Sequence, residues 1–187
     1  MRVKGNAIVF EFTGKSNKEQ RHVVVDRALA KIVSEMLKSP GSRLFRYTDR
    51  GSWKNLSERD VNEYLHHISA VRYTAKDFRT WGGTVRVATV LSDLGPPAND
   101  REAKKNVVLA IRLVSAELGN TPAICRASYV HPIVLARYLD QGETIMPRSP
   151  GRKVAGHYPE ERALIRFLDE HFPERRKRIR PEDVVAV

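Results

Sequence analysis

The stretch "LGNTPAICRASYVHP", residues 118–132, places one tyrosine, Tyr129, shortly after a Gly-Asn helix stop and a Thr-Pro helix start. A phenol hydroxyl can serve as a nucleophile when nearby cations steady the charge that develops on the group it attacks. Composition suggests what that group is. Lys and Arg number 33 against 22 Asp and Glu, giving a formal net charge of +11 and a pI near 10.0, and a surface of that sign favours polyanions. No CxxC, HExxH or grouped carboxylates offer metal-ligand spacing. No GxxxxGK[ST] loop cradles a nucleotide. Attack on a phosphodiester would then need a hydroxyl, cations for the transition state and an acid for the leaving oxygen. Tyrosine, arginine and lysine can fill those roles, and no cofactor is called for.

The elements that must hold such groups can be read from turn residues, caps and apolar spacing. "AIVFEF" and "RHVVVD" are two strand-like runs joined by "TGKSNKEQ", a hairpin with Lys15 and Lys18 near its tip. After Asp26 the residues Leu29, Ile32, Val33, Met36 and Leu37 recur at helical spacing until Pro40-Gly41, and a short run, "RLFRY", follows. "SERD" at 57–60 forms a capping box with Asp in place of Glu, and Val61, Tyr64, Leu65 and Ile68 make the buried stripe of a second helix. "TAKDF" opens a third in the same way, with Phe78, Trp81, Val85 and Ala88 inward, although Gly82-Gly83 weakens the pattern.

From Asn99 to Leu118 a longer helix carries Val107, Ile111, Val114 and Leu118 on one face, with Gly119 at its C-terminal end. Thr121-Pro122 and His131-Pro132 each start another helix. Residues 143–158 lack periodicity and read as a linker, after which Leu164, Ile165, Phe167 and Leu168 mark a final amphipathic helix. The expected architecture is an α-rich α+β fold, an N-terminal β-hairpin leading into about seven helices.

At 187 residues the chain can bury a sizeable core without disulfides. Its single cysteine, Cys125, excludes an internal disulfide framework, fits a reducing cytoplasm and reads as a small buried residue rather than a thiol nucleophile. No long apolar run or signal-like start points to a membrane. From Glu143 onward 10 basic residues face 8 acidic ones, so the excess charge sits mainly in the body. The run "RRKRIR" at 175–180 is flanked by Glu174, Glu182 and Asp183 and reads as a solvated terminus.

"FEFTGKSNKEQ", "DVNEYLHHI", "YTAKDFRTWGGTVRVATVL" and "LGNTPAICRASYVHP", in this order and at these separations, closely resemble the catalytic domain of bacterial, poxvirus-like type IB DNA topoisomerases. The resemblance covers roughly residues 2–142. It implies the fold shared with tyrosine recombinases, a catalytic domain over 1–142, and a linker, amphipathic helix and basic tail over 143–187. It also implies a monomer acting on double-stranded DNA in the bacterial cytoplasm, at the nucleoid, with neither metal nor ATP.

Carried over residue by residue, the resemblance makes Tyr129 the nucleophile that forms a 3′-phosphotyrosyl link and Lys15 the general acid for the leaving 5′ oxygen. Arg79 becomes the fork that holds non-bridging phosphate oxygens, and Lys18, Lys76 and Arg126 become DNA contacts. Asn120 stands where many members of the family have histidine. Its amide can donate a hydrogen bond to phosphate but brings no charge. The family's further catalytic arginine, and a separate lobe that closes around DNA, precede the hairpin in its members. These 187 residues contain neither, so the expectation is a C-terminal catalytic-domain fragment.

Each residue also has a plainer reading. Taken singly, Tyr129 is a helix-end aromatic, Arg79 an ion-pair partner for Asp77 or another acid, and Lys15 a hairpin-tip lysine; Trp81 and Phe78 sit at core spacing and read as packing. Two rival functions stay open. A tyrosine recombinase would carry an HxxR motif, and here Lys76 holds the position of that histidine. A non-catalytic DNA-binding module would keep the basic surface alone.

Overall fold

The computed structural model describes residues 1–14, 17, 19–69, 71–147, 151, 153, 154 and 156–171. The chain divides into two compact units, Met1–Tyr64 and Leu65–Val187.

In the first unit, β1 (Arg2–Lys4), β2 (Ala7–Thr13) and β3 (Glu19–Val25) form an antiparallel sheet in that order. Ala7 pairs with Val25 and Thr13 with Glu19, so the expected hairpin is present with one further short strand on its edge. The Asp26 carboxylate accepts from Leu29 N at 2.8 Å and starts α1 (Arg27–Met36). That side chain satisfies a helix-start N–H which would otherwise lack a partner. α1 lays Ala30 and Val33 against Ile8, with Val3 and Phe10 at the margin of this small core. Downstream, β4 (Arg46–Asp49) and β5 (Ser52–Asn55) pair as a second hairpin, which takes up the end of the "RLFRY" run.

α2 (Glu58–Ser69) begins as expected, with Ser57 N donating to Asp60 Oδ2 at 2.7 Å and Asp60 N to Ser57 Oγ at 3.2 Å. Its expected buried stripe is not there. None of its residues is buried, and Tyr64 is 62% exposed. Apolar spacing marks a face, but a face is buried only when another element covers it.

The second unit is built from α3 (Ala75–Leu94), α4 (Asp100–Glu117), α5 (Pro122–Ser128), α6 (Pro132–Gln141) and α7 (Pro159–His171). Val87, Ala88 and Leu91 of α3 meet Val107, Ile111 and Val114 of α4. Cys125, Val134, Leu135, Leu164 and Phe167 bring in the three shorter helices. Each large apolar side chain taken fully out of water contributes about 1.5–3 kcal/mol, so this shared core holds α7 as well as α4 to α3. Tyr138 spans the core, its hydroxyl donating to Gly95 O at 2.8 Å and accepting from Asn106 Nδ2 at 2.9 Å. Both bonds keep a buried polar group satisfied. Phe78, expected inward, is 61% exposed; the buried residues of α3 begin only at Gly83.

Candidate active site

Three segments of the second unit meet around one backbone carbonyl. α4 ends with Asn120 N donating to Ser115 O at 2.9 Å and Gly119 N to Ala116 O at 3.2 Å, while Gly119 takes φ +67°. Glycine suits this left-handed position, and the pair of reversed bonds closes the helix end. Leu118 O belongs to that last turn, where carbonyls lack helical partners and the helix dipole is negative. Arg79 Nη2 donates to it from α3. Asn120 Nδ2 donates to it from the turn, at 3.2 Å.

Tyr129 lies alongside. It closes α5 with its N–H bonded to Cys125 O at 2.9 Å, and its ring sits under the Arg79 guanidinium, with Cζ 5.1 Å from the ring centroid. A cation at that distance is attracted to the aromatic face. Arg79 is exposed, whereas Asn120 and Tyr129 are half-buried. Its expected plain partner, Asp77, is engaged elsewhere. The Asp77 carboxylate accepts from Thr74 N and Thr74 Oγ1, both at 2.8 Å, and the backbone bond above all holds its pKa below the ordinary value.

What places Tyr129 at this distance is the face of α3 presented by Thr80, Gly83 and Thr84, one helical turn apart. A Cβ on Gly83 would stand 2.5 Å from Tyr129 O and 3.3 Å from Leu118 Cδ1. The glycine that weakens the helical pattern is thus the point where α3 and the tyrosine backbone touch. Thr80 Oγ1 shares its proton between Ser128 O and Lys76 O, both at 3.3 Å, and Thr84 Oγ1 accepts from His131 N at 3.0 Å. Sequence reading took Gly83 only as a weak point of the helix and did not single out Thr80 or Thr84. The i, i+3, i+4 spacing of the three within "TWGGT" was the available signal.

Further supports are set back from the tyrosine. Arg86 grips Glu117 through two bonds of 2.9 and 2.6 Å, fastening α3 to the end of α4. Trp81 Nε1 donates to Glu161 Oε1 at 2.9 Å and ties α7 to α3 two residues beyond Arg79. Trp81 packs on the core as expected. Burial pushes the Cys125 thiol pKa up, as suits an inert packing residue.

Of the other expected site residues, Lys76 is exposed in the first turn of α3 and Arg126 is exposed in the last turn of α5. Lys15 and Lys18 lie outside the described residues, as does the 175–180 basic run. The second unit therefore brings together Arg79, Asn120 and Tyr129.

Residues 1–148 match the family model described as eukaryotic DNA topoisomerase I, catalytic core. The chain belongs to that family. A DNA topoisomerase 1B of Acanthamoeba polyphaga mimivirus is 28% identical over 151 residues, which cover 76% of this chain and 45% of that protein. The chain thus spans about half the length of the curated topoisomerase relative it matches. The topoisomerase match ends at residue 148, before α7, yet α7 supplies Leu164 and Phe167 to the same core that carries the site.

Proposed function

We propose that this chain carries the strand-transfer chemistry of a type IB DNA topoisomerase of the poxvirus-like kind, an isomerase that acts on double-stranded DNA as a monomer in a bacterial cytoplasm. Tyr129 Oη attacks a backbone phosphorus and a Tyr–O–P bond forms as the P–O5′ bond breaks. The phenol proton passes to water and the leaving 5′ oxygen takes a proton from Lys15. One phosphoester replaces another, so the reverse step rejoins the strand without ATP, and rotation between the two steps relaxes supercoils of either sign.

The observation that carries this reading is the convergence of Arg79 and Asn120 on Leu118 O beside the Tyr129 ring. Guanidinium has five N–H donors in a fixed fork. One of them anchored on Leu118 O leaves the others to meet phosphate oxygens as charge builds there. Phosphoryl transfer asks little of a protein beyond positioning and such charge stabilisation. Asn120, anchored on the same carbonyl, adds a neutral donor.

The test is a duplex carrying a nick just downstream of the cleavage position, so that the released 5′ strand diffuses away. A covalent protein–DNA adduct is expected, and it should vanish in Tyr129→Phe. Absence of the adduct from the wild-type chain, also when the upstream lobe of a relative is supplied in trans, would refute the catalytic reading and leave a DNA-binding module. A recombinase would instead join strands between two duplexes at a defined site. Binding itself should weaken steeply as salt rises, because each phosphate contact releases counterions.

A further inference from the structure

We propose that Thr84 is a positioning residue for Tyr129, acting through the backbone of the segment that follows it; this rests on Tyr129 being the nucleophile. Thr84 is 2% exposed, and its hydroxyl is used twice. It donates to Thr80 O at 2.7 Å and accepts from His131 N at 3.0 Å.

The first bond is what any helical threonine does with the carbonyl four residues back. Thr89 shows it alone on the same helix, bonding Val85 O at 2.9 Å. The second bond is different. His131 precedes α6 as its cap residue, a position whose N–H takes no carbonyl from the helix it starts. Thr84 supplies that acceptor from α3, two residues beyond the tyrosine. Thr80 holds Ser128 O one residue before the tyrosine, and Gly83 lets the helix touch Tyr129 O between them. The backbone of 128–131 is therefore gripped on both sides of Tyr129 by a single helix face. Arg79 projects from that same helix, one residue before Thr80. Nucleophile and phosphate-binding fork are thus referenced to one rigid element, and Thr84 sets the register between them.

Thr84→Val keeps the shape and removes the acceptor. Misplacing reacting groups by about 1 Å costs on the order of 10²-fold in rate, so single-turnover cleavage at saturating DNA should fall roughly 10- to 100-fold in Thr84→Val. DNA affinity should stay unchanged, and Thr84→Ser, which restores the hydroxyl, should recover the rate. Thr89→Val is the matched control and should cleave like wild type. The free protein offers a second readout, hydrogen exchange at the His131 amide, slow in wild type and Thr84→Ser and fast in Thr84→Val.

Wild-type cleavage by Thr84→Val, failure of serine to rescue, an equal loss in Thr89→Val, or unchanged His131 exchange would each overturn the proposal. A wild-type chain that stays inert also with the upstream lobe of a relative supplied in trans would instead refute the nucleophile reading itself, and the amide exchange would still decide whether Thr84 holds the segment.

Discussion

The Arg79 guanidinium lies over the Tyr129 ring, its Cζ 5.1 Å from the centroid, while one of its N–H groups is fixed on Leu118 O. Arginine is therefore held at one corner by α4 and at its face by the residue proposed to attack phosphate. A lysine could keep the charge but not both contacts, since an ammonium is a point charge on a flexible stem. Arg79→Ala should lower single-turnover cleavage by about 10²–10³-fold, the usual cost of removing a donor aimed at developing oxyanion charge. Arg79→Lys should recover only a small part. Recovery to near the wild-type rate in the lysine variant would show that charge alone matters and that the fork does not.

Asn120 shares Leu118 O with Arg79 and cannot titrate near neutral pH. The ratio of Asn120→His to wild-type cleavage should accordingly depend on pH. Below an imidazole pKa of about 6.5 the ring is cationic and donates a charge-assisted bond, so the ratio should rise there and decline as pH increases. Taking the ratio cancels other titrating groups common to both proteins. A flat ratio between acid and mildly alkaline pH would mean that this side chain does not reach the phosphate. Asn120→Ala should be slower than wild type at every pH.

Much of this arrangement was legible in the residues because its signals are local. Asp26, Thr121-Pro122 and His131-Pro132 start helices through side chains and fixed φ angles that act within three residues, and α1, α5 and α6 begin where those residues stand. The resemblance drew attention to Arg79, Asn120 and Tyr129 before any geometry placed them around Leu118 O. What was not legible depends on partners distant in the chain. β4 and β5 are four-residue strands rich in polar residues, recognisable only once paired. Tyr64 and Phe78 have core spacing without a covering element. The Gly82-Gly83 pair reads as a helix weakness until Tyr129 O is found against one of the two. The closing of α7 onto Trp81 through Glu161 likewise needed the contact itself.

The link between α3 and α4 should be sensitive to acid. Arg86, bonded to Glu117 at two points, holds the Glu117 carboxyl below its ordinary 4.5. A carboxylate with a depressed folded pKa contributes stability above the unfolded value, and that contribution is lost as pH falls through the folded one. The contribution is therefore complete at neutral pH and is lost progressively as pH falls below about 4.5. Both side chains are about half exposed, so its size should be about 1 kcal/mol or less. Glu117→Gln should unfold slightly earlier in urea at pH 7 and converge with wild type at low pH. A constant difference across that range would separate the stabilisation from the ion pair.

Two adjacent glycines give a paired test of how closely the tyrosine is packed. A Cβ on Gly82 meets nothing within 4 Å, whereas on Gly83 it would stand 2.5 Å from the backbone oxygen of Tyr129. Gly82→Ala should thus show only the helical preference for alanine and stabilise the protein by roughly 0.5–1 kcal/mol. Gly83→Ala gains the same preference but must push α3 and the tyrosine segment apart. Forcing an extra carbon into a packed site costs typically 1–3 kcal/mol, which outweighs the gain, so the net effect should be destabilising. Cleavage should follow geometry rather than stability. Gly82→Ala should retain the wild-type rate, and Gly83→Ala should lose it even at temperatures where the variant is fully folded, because the displaced atom belongs to Tyr129 itself. Equal melting temperatures for the two variants would show that the tyrosine backbone is not seated against α3.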